Sequence, residues 1–188
     1  MCIRDRMARH YNLPLRSSNA CAANAPDGQA IWESLNSLWA ASTGGVNVVY
    51  HSAGWLEGGL IASYEKFVMD CEVLQQFQRY FDPVISDVGQ DSLAVNAIKE
   101  VGPNGHFFGC DHTQERYTNA FYSPFLSDWR NYEAWEQDGA EWTHQRANKI
   151  WKDILKEFEA PKIDIAVKDE LKSFVDRRKS EGGVKTDF

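Results

Sequence analysis

No apolar run in this 188-residue chain approaches the roughly 20 residues a helix needs to cross a bilayer. The amino terminus also lacks the apolar stretch that a secretory signal carries. Cysteine is sparse. Cys2, Cys21, Cys71 and Cys110 are scattered without CxxC spacing, which argues against a zinc knot or a disulfide framework and for a reduced, cytoplasmic setting. His51, His106 and His112 show no HExxH or comparable spacing, so no bound metal is expected. Low-complexity tracts are missing, and there is no repeat beyond strand–helix alternation. A net charge of −7 argues mildly against a nucleic-acid partner, which would call for a basic face.

What is present is enough for one ordinary domain: 43% of the residues are apolar, sufficient for a packed core. The most informative stretch runs from Gly44 to Glu72. A β-branched run, Val46 to Tyr50, stops at His51. A turn of small residues carrying Trp55 and Glu57 follows, and a long helix is expected after Gly58-Gly59, with Leu60, Tyr64, Phe67, Cys71 and Leu74 on its buried stripe. Strand, turn and amphipathic helix make the βα unit of α/β folds, whose ligands bind just past the carboxyl ends of strands.

An earlier unit precedes it. Leu13-Pro14-Leu15 reads as a short strand and Arg16 to Asn24 as its loop. Pro26-Asp27 then starts a helix through Gln29, Trp32, Leu35, Leu38 and Trp39 that ends at Gly44-Gly45. Asp91 or Ser92 is read as the N-cap of a helix over Leu93 to Val101, and Gly102-Pro103-Asn104-Gly105 as a turn. His106-Phe107-Phe108 is read as a last short strand, with Asp111-His112-Thr113 in the loop after it. From Trp129 two helices are expected, the first capped by Asp128 and interrupted near Asp138-Gly139, the second running through Trp142, Ile150, Trp151 and Phe158. After Pro161 a final helix covers Ala166 to Arg178. The first six residues, MCIRDR, match no structural pattern and resemble translated adaptor sequence, which would make the rest the tail of something longer.

The strings HSAGWLEGGLIASYEKFVMDCE, GHFFGCDHTQERYTNAFYSPFLSDWRNYEAW and RANKIWKDILKEF resemble the carboxyl-terminal part of the trimethylamine methyltransferase family, over roughly Ala8 to Arg178. That family includes corrinoid-dependent amine methyltransferases and their glycine betaine relatives. The resemblance implies an α/β fold, the carboxyl-terminal portion of a TIM (β/α)₈ barrel followed by a helical tail. A whole barrel takes about 250 residues. The expected organisation is residues 1–6 non-native, 7–127 the last βα units, 128–179 a helical extension and 180–188 a frayed tail.

The implied chemistry moves a methyl group from an amine nitrogen to the cobalt of a corrinoid (cobalamin) held by a separate carrier protein. A quaternary ammonium leaves as a neutral tertiary amine and needs little activation. The trimethylamine branch resembles enzymes that use pyrrolysine, and every residue here is a standard one, which favours a quaternary amine such as a betaine. The alternatives are a tertiary-amine methyltransferase and a non-catalytic quaternary-amine-binding protein on the same barrel. An oligomer of like subunits is compatible with either.

On this reading Arg16 and His51 face the corrinoid, although His51 is equally read as a buried histidine bonded to a carbonyl. Trp55, Phe107 and Phe108 form an aromatic box, because a quaternary nitrogen has no N–H and is recognised through π faces; core packing is the competing role. Glu57 complements the cationic substrate or serves a helix dipole. Asp111 and His112 hold a substrate carboxylate or merely cap a turn. Cys71 is read as core, and Cys21 and Cys110 as ordinary loop residues. His10 and His144 are read as surface residues, and the tryptophan-rich tail as packing helices.

Overall fold

A computed structural model describes residues 3–82 and 93–182. The chain divides into two compact units, Met1–Asp153 and Ile154–Phe188.

In the first unit, helix α1 (Arg4–Tyr11) leads into strand β1 (Arg16–Ser18), helix α2 (Gly28–Thr43) and strand β2 (Val48–Tyr50). β1 and β2 pair in parallel, Arg16 with Val48 and Ser18 with Tyr50, so β1–α2–β2 is a complete βαβ crossover. The Asp27 carboxylate receives the Gln29 and Ala30 amides and starts α2; Gly44 ends it, both as the sequence indicates. One expectation is corrected here. The first strand begins at Arg16 rather than covering Leu13 to Leu15, because Pro14 has no N–H to give a ladder and the pairing starts beyond it. Residues Arg4 to Arg6, which match no structural pattern in the sequence, lie in α1, where Asp5 pairs with Arg9 at 2.9 Å.

A second correction follows Tyr50. The long helix does not open after Gly58-Gly59. Instead β3 (Trp55–Leu56) and β4 (Ile61–Ala62) form an antiparallel hairpin around a 3₁₀ turn, Glu57–Gly59, and α3 spans Tyr64–Phe81 from a Ser63 cap. Leu60 is therefore off the helix and 86% exposed, and Tyr64 and Phe67 are exposed too. The face that α3 buries carries Lys66, Val68, Met69, Asp70, Glu72, Val73 and Phe77. Its charges find partners inside, so the apolar stripe and the buried face do not coincide. α2 likewise buries Ala30, Ser34, Leu38 and Ala41 and leaves Trp32 and Trp39 exposed. Small residues let that helix sit close, and Trp39 lies instead against Phe77 at 5.7 Å and Tyr80 at 5.2 Å.

Beyond the unassigned stretch come α4 (Val95–Val101), a 3₁₀ turn (Phe107–Gly109), α5 (Asp111–Gln114), α6 (Tyr132–Gln137) and α7 (Thr143–Lys156). The Asp91 or Ser92 cap lies outside the described residues. The 102–105 turn forms, with Gly102 and Asn104 at positive φ. His106 to Phe108 is not a strand: among the described residues no strand pairs with it, and Phe107–Gly109 form a 3₁₀ turn. Asn131, not Asp128, caps α6; the Asp128 carboxylate instead takes Nε and the amide of Arg130. α6 stops at Asp138-Gly139, as expected.

α7 docks on α3 through the segment between them. The buried Glu72 carboxylate accepts the amides of Leu126 and Ser127, and Arg146 Nε donates to the Leu126 carbonyl at 2.9 Å. Val68, Met69, Leu126 and Ala147 form the core cluster at that junction, with Ile31, Ile150 and Trp151 against it. The second unit carries α8 (Ile165–Ser180), capped by Asp164. The described residues hold two two-stranded sheets and no closed barrel; an α/β unit is present. No helix among them is long and apolar enough to cross a membrane.

Candidate functional site

Parallel pairing brings the residues after β1 and β2 to one end of the sheet. After β1 comes Asn19, 1% exposed, whose Nδ2 donates to the Ser52 carbonyl at 2.9 Å and whose Oδ1 is buried without a partner. After β2 comes His51, exposed and held at φ +51°. Its ring stacks on Trp55, centroids 3.9 Å apart and planes 19° from parallel. Tyr50 meets His51 edge-on at 5.4 Å, and the Arg16 guanidinium lies 5.0 Å from the centre of the Tyr50 ring. Arg16, Tyr50, His51 and Trp55 thus form one continuous series of cation and ring contacts.

The stack is built, not accidental. Trp55 lies so close over Gly59 that a Cβ there would fall 2.8 Å from Cζ3, and Gly59 has φ +95°. Only glycine fits beneath the indole. The loop after β1 is fixed from below by α2. The Glu33 carboxylate accepts the Ala22 and Ala23 amides at 2.7 and 3.0 Å, and Ser37 Oγ accepts the Ala20 amide at 2.8 Å. The Gln29 side chain and those amides hold Glu33 below the usual carboxylate range, against the opposing effect of burial. The hairpin joins the same loop, with the Glu57 amide donating to Ala23 and the Gly58 amide to Cys21.

Behind the turn sits a charged pair that sequence reasoning missed. Lys66 Nζ and the Asp70 carboxylate are both fully buried and 2.5 Å apart. Nζ also donates to Ser34 Oγ of α2 at 2.7 Å, and Asp70 Oδ2 accepts the Gly54 amide at 2.9 Å. In sequence, Lys66 and Asp70 look like an ordinary i,i+4 surface pair. Nothing local marks them as buried.

Arg16 opens β1 rather than following it, so it lies in the strand and reaches the site only by leaning over Tyr50. Glu57, at φ +52°, has an exposed carboxylate in the hairpin turn, not at the start of α3. Phe107 and Phe108 occupy the 3₁₀ turn, 45% and 78% exposed, and His106 touches the Phe108 ring at 5.8 Å. Asp111 and His112 begin α5, a helical turn rather than a loop. Among the described residues, no hydrogen bond, ion pair or ring contact joins Phe107, Phe108, Asp111 or His112 to the His51–Trp55 stack. Cys21 and Cys110 are buried, their thiols directed at the Ala30 and Phe107 carbonyls. No cluster of three or more His, Cys, Asp or Glu among the described residues is placed to hold a metal ion.

The family model for trimethylamine methyltransferase (MTTB) matches residues 1–183. The chain belongs to that family. A glycine betaine methyltransferase from Desulfitobacterium hafniense is 37% identical over 179 residues, 95% of this chain and 37% of the relative. A trimethylamine methyltransferase from Methanosarcina mazei is 28% identical over 92% of this chain and 34% of its own length. Another from Desulfitobacterium hafniense is 29% identical over 95% and 36%. The chain therefore spans little more than a third of the length of these relatives of the trimethylamine methyltransferase family.

Proposed function

We propose that the chain contributes part of the donor site of a methyltransferase. The enzyme moves a methyl group from a quaternary amine of the betaine class to the cobalt of a corrinoid held by a separate carrier protein. The observation that carries this reading is the stack of exposed His51 on half-buried Trp55, built at the carboxyl end of a parallel strand pair. Within the family, the higher identity to a protein named for glycine betaine supports a quaternary over a tertiary amine. The βαβ unit is assigned to a TIM barrel.

A quaternary nitrogen offers no hydrogen bond, so aromatic rings are its natural contacts, each worth about 0.5–2 kcal/mol. Glu57 supplies a nearby carboxylate for the positive charge. Phe107 and Phe108 are assigned to the substrate with Trp55, because their rings stay out of the core. Asp111 and His112 are assigned to the substrate's polar end. Arg16 and His51, polar and exposed beside an aromatic face, fit the amide-rich rim of a corrin. The corrinoid supplies the nucleophilic acceptor of the methyl. As the carbon–nitrogen bond breaks, its electron pair stays on nitrogen and the product is a neutral tertiary amine. No proton need be delivered, and the residues act by orientation.

The test uses protein of the relatives' full length, titrated with glycine betaine with and without a reduced corrinoid carrier, while the cobalt spectrum is followed. Methylation that needs betaine supports the proposal. Binding without cobalt methylation would instead indicate a quaternary-amine-binding protein, and methylation from trimethylamine alone a tertiary-amine enzyme.

A further inference from the structure

The His51–Trp55 turn holds one non-glycine residue, His51, in the left-handed region. His51 is at φ +51° and Gly54 at φ +88°, two left-handed residues within four positions. Residues in such conformations persist only where their surroundings fix them. Two of the fixing contacts take backbone carbonyls, Ser52 from Asn19 Nδ2 at 2.9 Å and Gly54 from the Ser63 amide at 3.0 Å; the buried acceptor among them is Asp70, whose Oδ2 receives the Gly54 amide at 2.9 Å, and a Cβ on Gly54 would meet Phe67 Cβ of α3 at 3.3 Å. Asp70 is held in turn by Lys66, which also reaches Ser34 of α2. One fully buried ion pair therefore ties the turn to both helices that flank it.

Ion pairs of this kind are poor stabilisers. Burial strips both groups of water, and an apolar pair of similar volume is often equally stable or more so. Stability alone thus gives little reason for Lys66 and Asp70 to occupy the centre of α3's buried face. The contact that an apolar pair cannot reproduce is the one to Gly54. We infer that the Lys66–Asp70 pair is a positioning element: Asp70 sets the 51–55 turn so that His51 and Trp55 stack, and Lys66 is the buried ion-pair partner of that carboxylate. This role rests on the donor-site reading above, because it matters for methyl transfer only if the stack touches substrate or corrinoid.

The test compares two double variants of the full chain by NMR, reading the His51 Hε1 resonance, which the Trp55 ring current displaces upfield. Lys66→Met with Asp70→Leu removes charge and acceptor together; Lys66→Met with Asp70→Asn removes the charge and keeps an acceptor for the Gly54 amide. Expected is loss of most of the upfield displacement in the Leu variant, with unfolding temperature little changed, and recovery in the Asn variant. A Leu variant that folds and retains the displacement would overturn the inference, as would loss in the folded Asn variant. Should either variant not fold, amide exchange in the unaltered protein decides. Gly54 protected about a hundredfold or more over free exchange supports the anchor, and exchange near the free rate refutes it. In full-length protein the Leu variant should lose methyl transfer. An unaltered full-length enzyme that never methylates a corrinoid defeats the functional reading while leaving the ring-current result to judge the positioning role by itself.

Discussion

Changing Glu65 to glutamine should weaken the joint between α3 and α7 in a way that depends on pH. Its Oε1 accepts Asn148 Nδ2 at 2.6 Å and Trp151 Nε1 at 2.8 Å, and its Oε2 takes Ser63 Oγ at 3.0 Å. Partial burial works to raise the carboxyl's pKa, but these donors outweigh it and bring it from 4.5 to about 2. A fall of that size corresponds to about 3 kcal/mol at full strength, and solvent reaching part of the group reduces this to about 1–2 kcal/mol. The folded-state pKa lies below the unfolded one, so the contribution is complete above pH 4.5 and is lost as pH falls toward 2. Glu65→Gln keeps an acceptor and removes the charge. Urea unfolding should show it less stable by about 1–2 kcal/mol at pH 7, with the deficit cut to under half by pH 3. An equal deficit at both pH values would mean that the cost is packing, and the charge argument would fail.

Three further outcomes are expected. Glu72→Ala strips the Leu126 and Ser127 amides of their acceptor, and should cost about 2–4 kcal/mol in urea unfolding. Gly59→Ala forces a methyl against the Trp55 ring at positive φ; a loss of about 1–3 kcal/mol in thermal unfolding and loss of the His51 ring-current shift should accompany it. In full-length protein, Trp55→Ala should raise the KM for betaine about tenfold with a smaller change in kcat, as expected for a lost cation–π contact; an unchanged KM would remove Trp55 from the substrate set.

Local patterns were enough for several features. Asp27 before the α2 run marked the helix start, Gly44-Gly45 an end, Val46 to Tyr50 a strand that forms over Val48–Tyr50, and Asp138-Gly139 a break, because each depends on neighbours within a turn or two. The same strand placed His51 and Trp55 at its carboxyl end, and these two meet in a stack. The hairpin between Trp55 and Ala62 was hidden, since Gly58-Gly59 reads as well for a helix start as for a tight turn. The 3₁₀ turn at Phe107 was hidden because an aromatic pair suits a strand only when a neighbouring strand exists to pair with it.

The sequence by itself determined where α2 starts and stops and where α6 ends, and that a βαβ unit delivers its turn residues to one end of a sheet. Only the tertiary structure decided which faces go inside. α3 turned Lys66, Asp70 and Glu72 inward against the apparent apolar stripe, because Lys66 and Asp70 pair with each other and reach Ser34 and Gly54, while Glu72 receives amides 54 and 55 residues away. Burial of a charged side chain depends on what surrounds it in space, and spacing along one helix does not carry that information.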